Sequence, residues 1–296
     1  MRIALLYVRI REEERLLIEA FEKAGVTVEP IDLRTVSFDL AEASRWSAFD
    51  AVVDRSLSLT ASITAVRVLE RFGVRVVNPA SAIEICSDKL QTSLALEQAG
   101  VPQPRVCVAT SPEAAIEAIE AIGYPAVIKP TVGSWGRLVA RINDRDAAEA
   151  VIEHRFALPS PQQHVVYVQE HVDKPGRDLR IFVVGGEAIA GISRESEHWV
   201  TNTARGAVAR GIEITPDIAD ISTRAAACTG ADIAAVDLFE CPRRGLLVNE
   251  LNHSMEFRNS ITTTGVDIPG RVAQHVIEIA RSRPGSSATT PVGAPA

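Results

Sequence analysis

Residues 3–8 form an unbroken apolar run, Ile-Ala-Leu-Leu-Tyr-Val, without the polar alternation of a half-exposed strand. Such a run predicts a strand buried on both faces, as in a parallel sheet covered by helices. Residues 12–24 carry a helical pattern that stops at Gly25, a residue suited to a left-handed helix end. The strand pattern returns over 26–31, 51–54 and 74–77, with a helix predicted over 63–72 and a stop at Asn78-Pro79. Strands separated by helices predict a small parallel α/β domain over roughly the first eighty residues.

Further on, a helix is predicted over 87–100, capped by Ser87 or Asp88 and ended by Gly100. The segment 101–104, Val-Pro-Gln-Pro, reads as an extended connector. Strands are predicted over 106–109, 126–130, 138–142, 165–170 and 179–184, with helices over 112–122 and 146–154. Gly185-Gly186 turns into a hairpin strand over 187–193. A helix over 218–229, a second hairpin from 234–239 and 245–249, and a closing helix over 268–281 complete the pattern. Residues 282–296 are rich in Pro, Gly, Ser, Thr and Ala, and are expected to lack fixed structure.

Composition narrows the function. A chain of 296 residues allows about two domains. Its 46% hydrophobic and 23% charged content is that of an ordinary soluble globular protein. A net charge of −7 argues against a general nucleic-acid binder, and 5% aromatic content against a base-stacking platform. The first apolar run is too short to span a membrane and meets Glu-Glu-Glu-Arg with no cleavage site, so a cytoplasmic location is expected. Cys86, Cys107, Cys228 and Cys241 form no CxxC pair, which leaves buried reduced thiols as the reading. The turn after the first strand, Arg9-Ile10-Arg11, lacks the GxGxxG of a dinucleotide site.

The strongest chemical signal lies late in the chain. Asp237 sits on one strand of a predicted hairpin, and Glu250 and Asn252, two apart, project from one face of the next. Three hard oxygen donors suit Mg²⁺, although taken alone such a trio is more often a solvated sheet face. Lys129, at a strand end, can neutralise a phosphate, and the loop Gly133, Ser134, Trp135, Gly136 and Arg137 offers backbone N–H groups and close approach. Lys89, in the first turn of its helix, is badly placed for the helix dipole, which hints at function. Gln169 and Glu170 end a strand whose edge can meet an adenine ring, with an acid for ribose hydroxyls. Arg180, Arg194 and Arg205 could stabilise charge building up on an acyl phosphate. The histidines show no metal-ligand spacing, and Ser254 has no GxSxG context.

In their order, Lys89, Lys129-Pro130, Gly133-Ser-Trp-Gly-Arg137, Gln169-Glu170, Gly176-Arg-Asp-Leu-Arg180, Asn202-Thr-Ala-Arg205-Gly206, Asp237 and Val248-Asn-Glu-Leu-Asn252-His253 resemble the RimK-like ATP-grasp ligases. The resemblance spans residues 1 to about 281. It implies an N-terminal α/β domain over 1–85, then a two-lobed α+β ATP-grasp part over 86–165 and 166–281. It also implies that Lys89 and Lys129 hold ATP phosphates under the 133–137 loop, and that residues from Gln169 to Arg180, Asp178 included, shape the adenine and ribose pocket. Asp237, Glu250 and Asn252 would hold two Mg²⁺ ions. Arg194, Asn202 and Arg205 would face the acyl phosphate and the amino acid.

Within the group, Cys86-Ser-Asp-Lys89 and Glu256-Phe-Arg-Asn-Ser260 look like the LysX branch. Those ligases join the amino group of 2-aminoadipate to the C-terminal glutamate of a small acidic carrier protein, LysW. Asn259-Ser260 matches the pair expected with aminoadipate, where the glutamate-using arginine branch is expected to show Gly-Phe. Homo-oligomers are expected of the family, and Arg177, Arg205, Arg210, Arg243 and Arg244 could form a positive rim for the carrier. The chain departs from the pattern at Ala207-Val208, where a second glycine is expected, which leaves a related amino acid open. The rivals are a glutamate ligase and a non-catalytic ATP-binding regulatory module.

Overall fold

The computed structural model describes residues 1–133, 136–201 and 206–282. Ser134, Trp135, Asn202, Arg205 and nearly all of the 282–296 tail lie outside them.

The first apolar run becomes strand β1 (Ile3–Tyr7), whose first four residues are at most 1% exposed. It lies between β2 (Val28–Asp32) and β3 (Ala51–Asp54), and β4 (Val76–Val77) extends the sheet in the order β2-β1-β3-β4, all parallel. Alternation sorts the run onto two cores. Ile3 and Leu5 pack with Leu17 and Phe21 of α1 (Glu12–Lys23), whereas Ala4 and Leu6 pack with Val66 and Leu69 of α3 (Leu59–Arg71) and Trp46 of the short α2 (Ser44–Ser47).

The next segment supplies α4 (Ala80–Ser87), α5 (Lys89–Gln98), β5 (Val106–Ala109), α6 (Pro112–Ile122), β6 (Ala126–Lys129), β7 (Ala140–Ile142), α7 (Arg145–Ala157) and β8 (Val166–Glu170). Its antiparallel sheet runs β5-β8-β6-β7 and is backed by the apolar faces of α6 and α7. A third, antiparallel sheet follows: β9 (Arg177–Val184), β10 (Glu187–Glu195), β11 (Val208–Gly211), β12 (Ile233–Cys241) and β13 (Gly245–Asn252), ordered β11-β10-β9-β12-β13. One face of it packs on α8 (Pro216–Thr229) and α5. After α9 (Arg258–Thr264), the closing α10 (Ile268–Arg281) returns to the first core, where Val272 and Val276 meet Leu17 and Phe21. The fold is therefore mixed α/β, with a parallel N-terminal sheet and antiparallel sheets after it, as expected.

Some boundaries differ from the sequence expectation. The helix expected over 87–100 is α5, started by the extended Asp88, whose carboxylate accepts from the Leu90 and Gln91 N–H groups; the separate α4 ends just before it. Helix α3 begins before residue 63 because the Ser58 hydroxyl caps the Ala61 N–H. Elements α2, α4, α9 and β11 were not expected at all. The cysteines are unpaired and half-buried rather than fully buried. Among the described residues no helix is long and apolar enough to cross a membrane.

Candidate active site

The third sheet turns its other face to a cleft of about 850 Å³, and its register writes charge across that face. Asp178 lies opposite Arg194, Arg180 opposite Asp237, and Asp237 opposite Glu250. Arg180 grips Asp237 with two parallel hydrogen bonds of 2.8 and 2.9 Å. Arg194 donates to Asp178 at 2.6 Å and lies 3.0 Å from the second oxygen of Asp237. Burial alone would raise the Asp237 pKa, but the two guanidinium groups outweigh it and hold the carboxyl well below its usual range. For Asp178 burial wins and its pKa is raised: Arg194 and Lys174 pull it down, but the Asp237 charge adds to the rise. Burial opposes the charge of Arg194 too, yet Asp237 and Asp178 together raise its pKa. Thr201 Oγ1 donates to Asp178 at 2.5 Å, and the Lys174 ammonium reaches Thr201 at 2.5 Å while lying 4.9 Å from the Phe239 ring.

A β-bulge changes what β13 offers. Asp237 pairs with Glu250 but Leu238 with Val248, so Asn249 is an extra residue. Val248 and Leu251 face the α8 core, which leaves Asn249 and Glu250, neighbours in sequence, both open to the cleft. Lys129, at the end of β6, donates to Asn249 Oδ1 at 2.9 Å and to Gln169 Oε1 at 2.7 Å. The lysine is 8% exposed, and burial pushes its pKa down to about 8; Glu250 opposes the fall and the Lys89 charge adds to it. Lys89 Nζ donates to the Gly133 carbonyl at 2.8 Å and sits 3.9 Å from Glu250. Its own backbone N–H is held by the Thr131 carbonyl, tying the start of α5 to the loop after β6.

Lys89, Lys129, Gln169, Asp237, Glu250 and Asn252 thus converge on one cleft. Gly133, Gly136 and Arg137 line it as well, as do Glu170, Asp178, Arg180, Arg194, Asn259 and Ser260. Several are committed within the protein: Glu170 pairs with Arg244, Asp178 with Arg194, and Arg180 with Asp237. Asn259 and Ser260 stand in the first turn of α9, Asn259 exposed and Ser260 buried. Of the expected positive rim, Arg177 pairs with Glu240, Arg210 with Glu195 and Arg244 with Glu170, while Arg205 lies outside the described residues.

Sequence reasoning missed Asn249, Lys174 and Thr201. The signal for Asn249 was its place beside Glu250, two polar residues in succession on an apolar strand.

The oxygen donors fit a hard dication. Asp237 and Glu250 are cross-strand neighbours, and Asn252, whose buried Nδ2 has no hydrogen-bond partner among the described residues, lines the same cleft with its amide. At the same end the half-buried His253 lies 3.4 Å from Ser87; burial first, and the charge of Arg55 second, push its pKa down to about 4.

Residues 3–85 match the family of LysX preATP-grasp domains, and residues 86–276 match the RimK-like ATP-grasp domain. The chain is 33% identical over 271 residues to an α-aminoadipate–LysW ligase, LysX, of Sulfurisphaera tokodaii, covering 90% of this chain and 95% of that protein. It is 30% identical over 280 residues to a glutamate–LysW ligase, ArgX, of the same organism, covering 94% and 99%. Among solved structures, a RimK-domain ATP-grasp protein of Sphaerobacter thermophilus superposes with a TM-score of 0.78 at 29% identity, covering 94% of this chain and all of the other. With two lysines, a cross-strand acid pair and this architecture around one cleft, the chain belongs to the RimK-like ATP-grasp ligases, enzymes that form a C–N bond with ATP.

Proposed function

We propose that this ligase activates the C-terminal glutamate of a small acidic LysW-like carrier protein and couples it to the α-amino group of 2-aminoadipate or a close analogue. The observation that carries the proposal is the convergence of Lys89 and Lys129 with Asp237, Glu250 and Asn252 on a single cleft that also reaches Asn259 and Ser260 on α9. The similarity to a LysX and to an ArgX over at least 90% of this chain supports a LysW-like carrier and an amino acid as the joined reactants.

In the first step a carboxylate oxygen of the carrier attacks the γ-phosphorus of ATP. The bond from that phosphorus to the β–γ bridging oxygen breaks, giving an acyl phosphate and ADP. The amine nitrogen then attacks the acyl carbon, inorganic phosphate leaves, and the nitrogen loses a proton. Lys129 and Lys89 would neutralise the phosphates, and Gln169 and Asn249 hold Lys129 in position by accepting from its ammonium. Mg²⁺, on Asp237, Glu250 and Asn252, would supply further charge neutralisation at the phosphate oxygens. The Arg180–Asp237–Arg194–Asp178 lattice keeps Asp237 ionised and fixed. Arg194, Asn202 and Arg205 would stabilise charge on the acyl phosphate. Residues 1–85 would form the pre-ATP-grasp domain and 86–165 and 166–281 the two lobes of the grasp. We include self-association of the chain, and no nucleic acid, in the proposal.

The test is ADP release in the presence of carrier, amino acid, both or neither, with mass spectrometry of the carrier. ADP and a carrier heavier by one amino-acid residue, only when both are present, is the expected result. ADP release that ignores the carrier, or an unmodified carrier, refutes the proposal. A panel with glutamate beside 2-aminoadipate fixes the amino acid.

A further inference from the structure

Helix α1 begins with two adjacent buried glutamates that meet opposite fates. Glu14, 0% exposed, accepts from the Arg11 backbone N–H at 2.8 Å, from the Arg11 side chain at 2.8 and 3.0 Å, and from Arg55 at 3.3 Å. Glu13 is 6% exposed, lines the cleft, and has no hydrogen bond or ion pair with any described residue. Acidic side chains this deeply buried are ordinarily paired. Arg11 and Arg55 lie within electrostatic reach of Glu13 but leave its hydrogen-bonding capacity unused. Arg9 and Arg258 line the same cleft, are exposed and lack ion-pair partners among the described residues, and Arg258 directly precedes Asn259 and Ser260.

We infer that Glu13 receives the α-ammonium group of the incoming amino acid, while Arg9 and Arg258 receive its carboxylates. The inference rests on the proposed function and deepens it. ATP and the carboxylate tail of a carrier are anions; of the three reactants only the amino acid brings a cation. An open carboxylate on the cleft wall has that ammonium as its complement among the reactants, and the two arginines lining the same cleft match an α-amino dicarboxylic acid. The assignment makes residues 1–85 part of the substrate site, since Arg9 and Glu13 both come from them.

The experiment compares the amino acid with a dicarboxylate that lacks the amine. In full reactions with carrier and ATP, the KM for 2-aminoadipate and the inhibition constant for adipate are measured in the wild type, Glu13→Gln and Arg258→Ala. Loss of a charge-assisted hydrogen bond is expected to raise the KM in Glu13→Gln about 10- to 100-fold, with adipate inhibition unchanged. Arg258→Ala is expected to weaken both compounds. Equal weakening of both compounds by Glu13→Gln, or weakening of neither, overturns the inference. Should Glu13→Gln not fold, Glu13→Asp, which keeps the charge but withdraws it, enters the same comparison with the same criterion. Hydroxylamine trapping of an activated carrier by the wild type, without amino acid, separates the two levels. If no hydroxamate forms, the proposed function fails and the Glu13 assignment falls with it; if it forms, the KM comparison alone decides.

Discussion

Replacing Lys129 by methionine should separate the cost of this lysine from its use. In the ligand-free protein its ammonium is held by two amide oxygens, with no carboxylate in ion-pair contact among the described residues. The fall of its pKa from 10.5 to about 8 corresponds to ~3 kcal/mol, at about 1.4 kcal/mol per tenfold change in proton affinity. Below pH 8 the folded and unfolded chains both carry the proton, and the wild type bears this whole cost. Between about pH 8 and 10.5 the unfolded chain keeps the proton and the folded chain releases it, so wild-type stability climbs with pH through that window. The Lys129→Met variant lacks this climb. It also orphans the buried Gln169 acceptor, at about 1–3 kcal/mol, but that penalty does not depend on pH.

Urea unfolding of both proteins at pH 7, 8, 9 and 10.5 therefore gives a stability difference that shifts by ~3 kcal/mol toward the wild type as pH rises. A triphosphate supplies the missing counter-charge, so wild-type ATP affinity should fall above pH 8, and the variant should bind ATP weakly at every pH. A stability difference that stays flat from pH 7 to 10.5 would refute the reasoning.

Asp237→Ala leaves Arg180 and Arg194 facing each other in a buried site and should destabilise the protein by about 3–5 kcal/mol; a urea midpoint close to that of the wild type would sink that account. The folded-state pKa of His253, about 4 against an ordinary 6.5, means that its neutral form stabilises the fold above pH 6.5 and that this contribution is lost as pH falls toward 4. His253→Gln should flatten the acid limb of stability over that interval, as read by thermal melts at pH 4.5, 5.5 and 6.5. A Cβ on Gly211 would sit 2.5 Å from the Thr263 carbonyl oxygen, backbone that cannot turn aside. Gly211→Ala should therefore cost about 1–3 kcal/mol and lower the melting temperature, and an unchanged melt would show that α9 yields to β11.

What the sequence made legible was the part in which local pattern and tertiary environment agree. The apolar run of β1 is buried on both faces, and Glu250 and Asn252 share a face as their spacing requires. Helix α9 was missed because Arg-Asn-Ser-Ile-Thr-Thr-Thr is poor helix material. The Thr263 and Thr264 hydroxyls bond back to the carbonyls of Asn259 and Ser260, and the helix is held by packing against β10 and β11. Strand β11 exposes most of its four residues at a sheet edge and carries no alternation to detect. Helix α4 is eight residues beside a proline, too short for helical periodicity to emerge. Asn249 was hidden for a different reason: strict alternation assigns it to the apolar face, and only the bulge brings it round. Nothing in the sequence singled out Glu13, because its lack of a partner among the described residues is a property of the assembled cleft.

The extra residue in β13 constrains anyone who would move this chemistry elsewhere. A regular hairpin presents alternate side chains to a given side, so an Asn-Glu-Leu-Asn segment transplanted onto one could deliver the lysine's acceptor or the acidic donor, but never the two together. The irregularity has to travel with the letters.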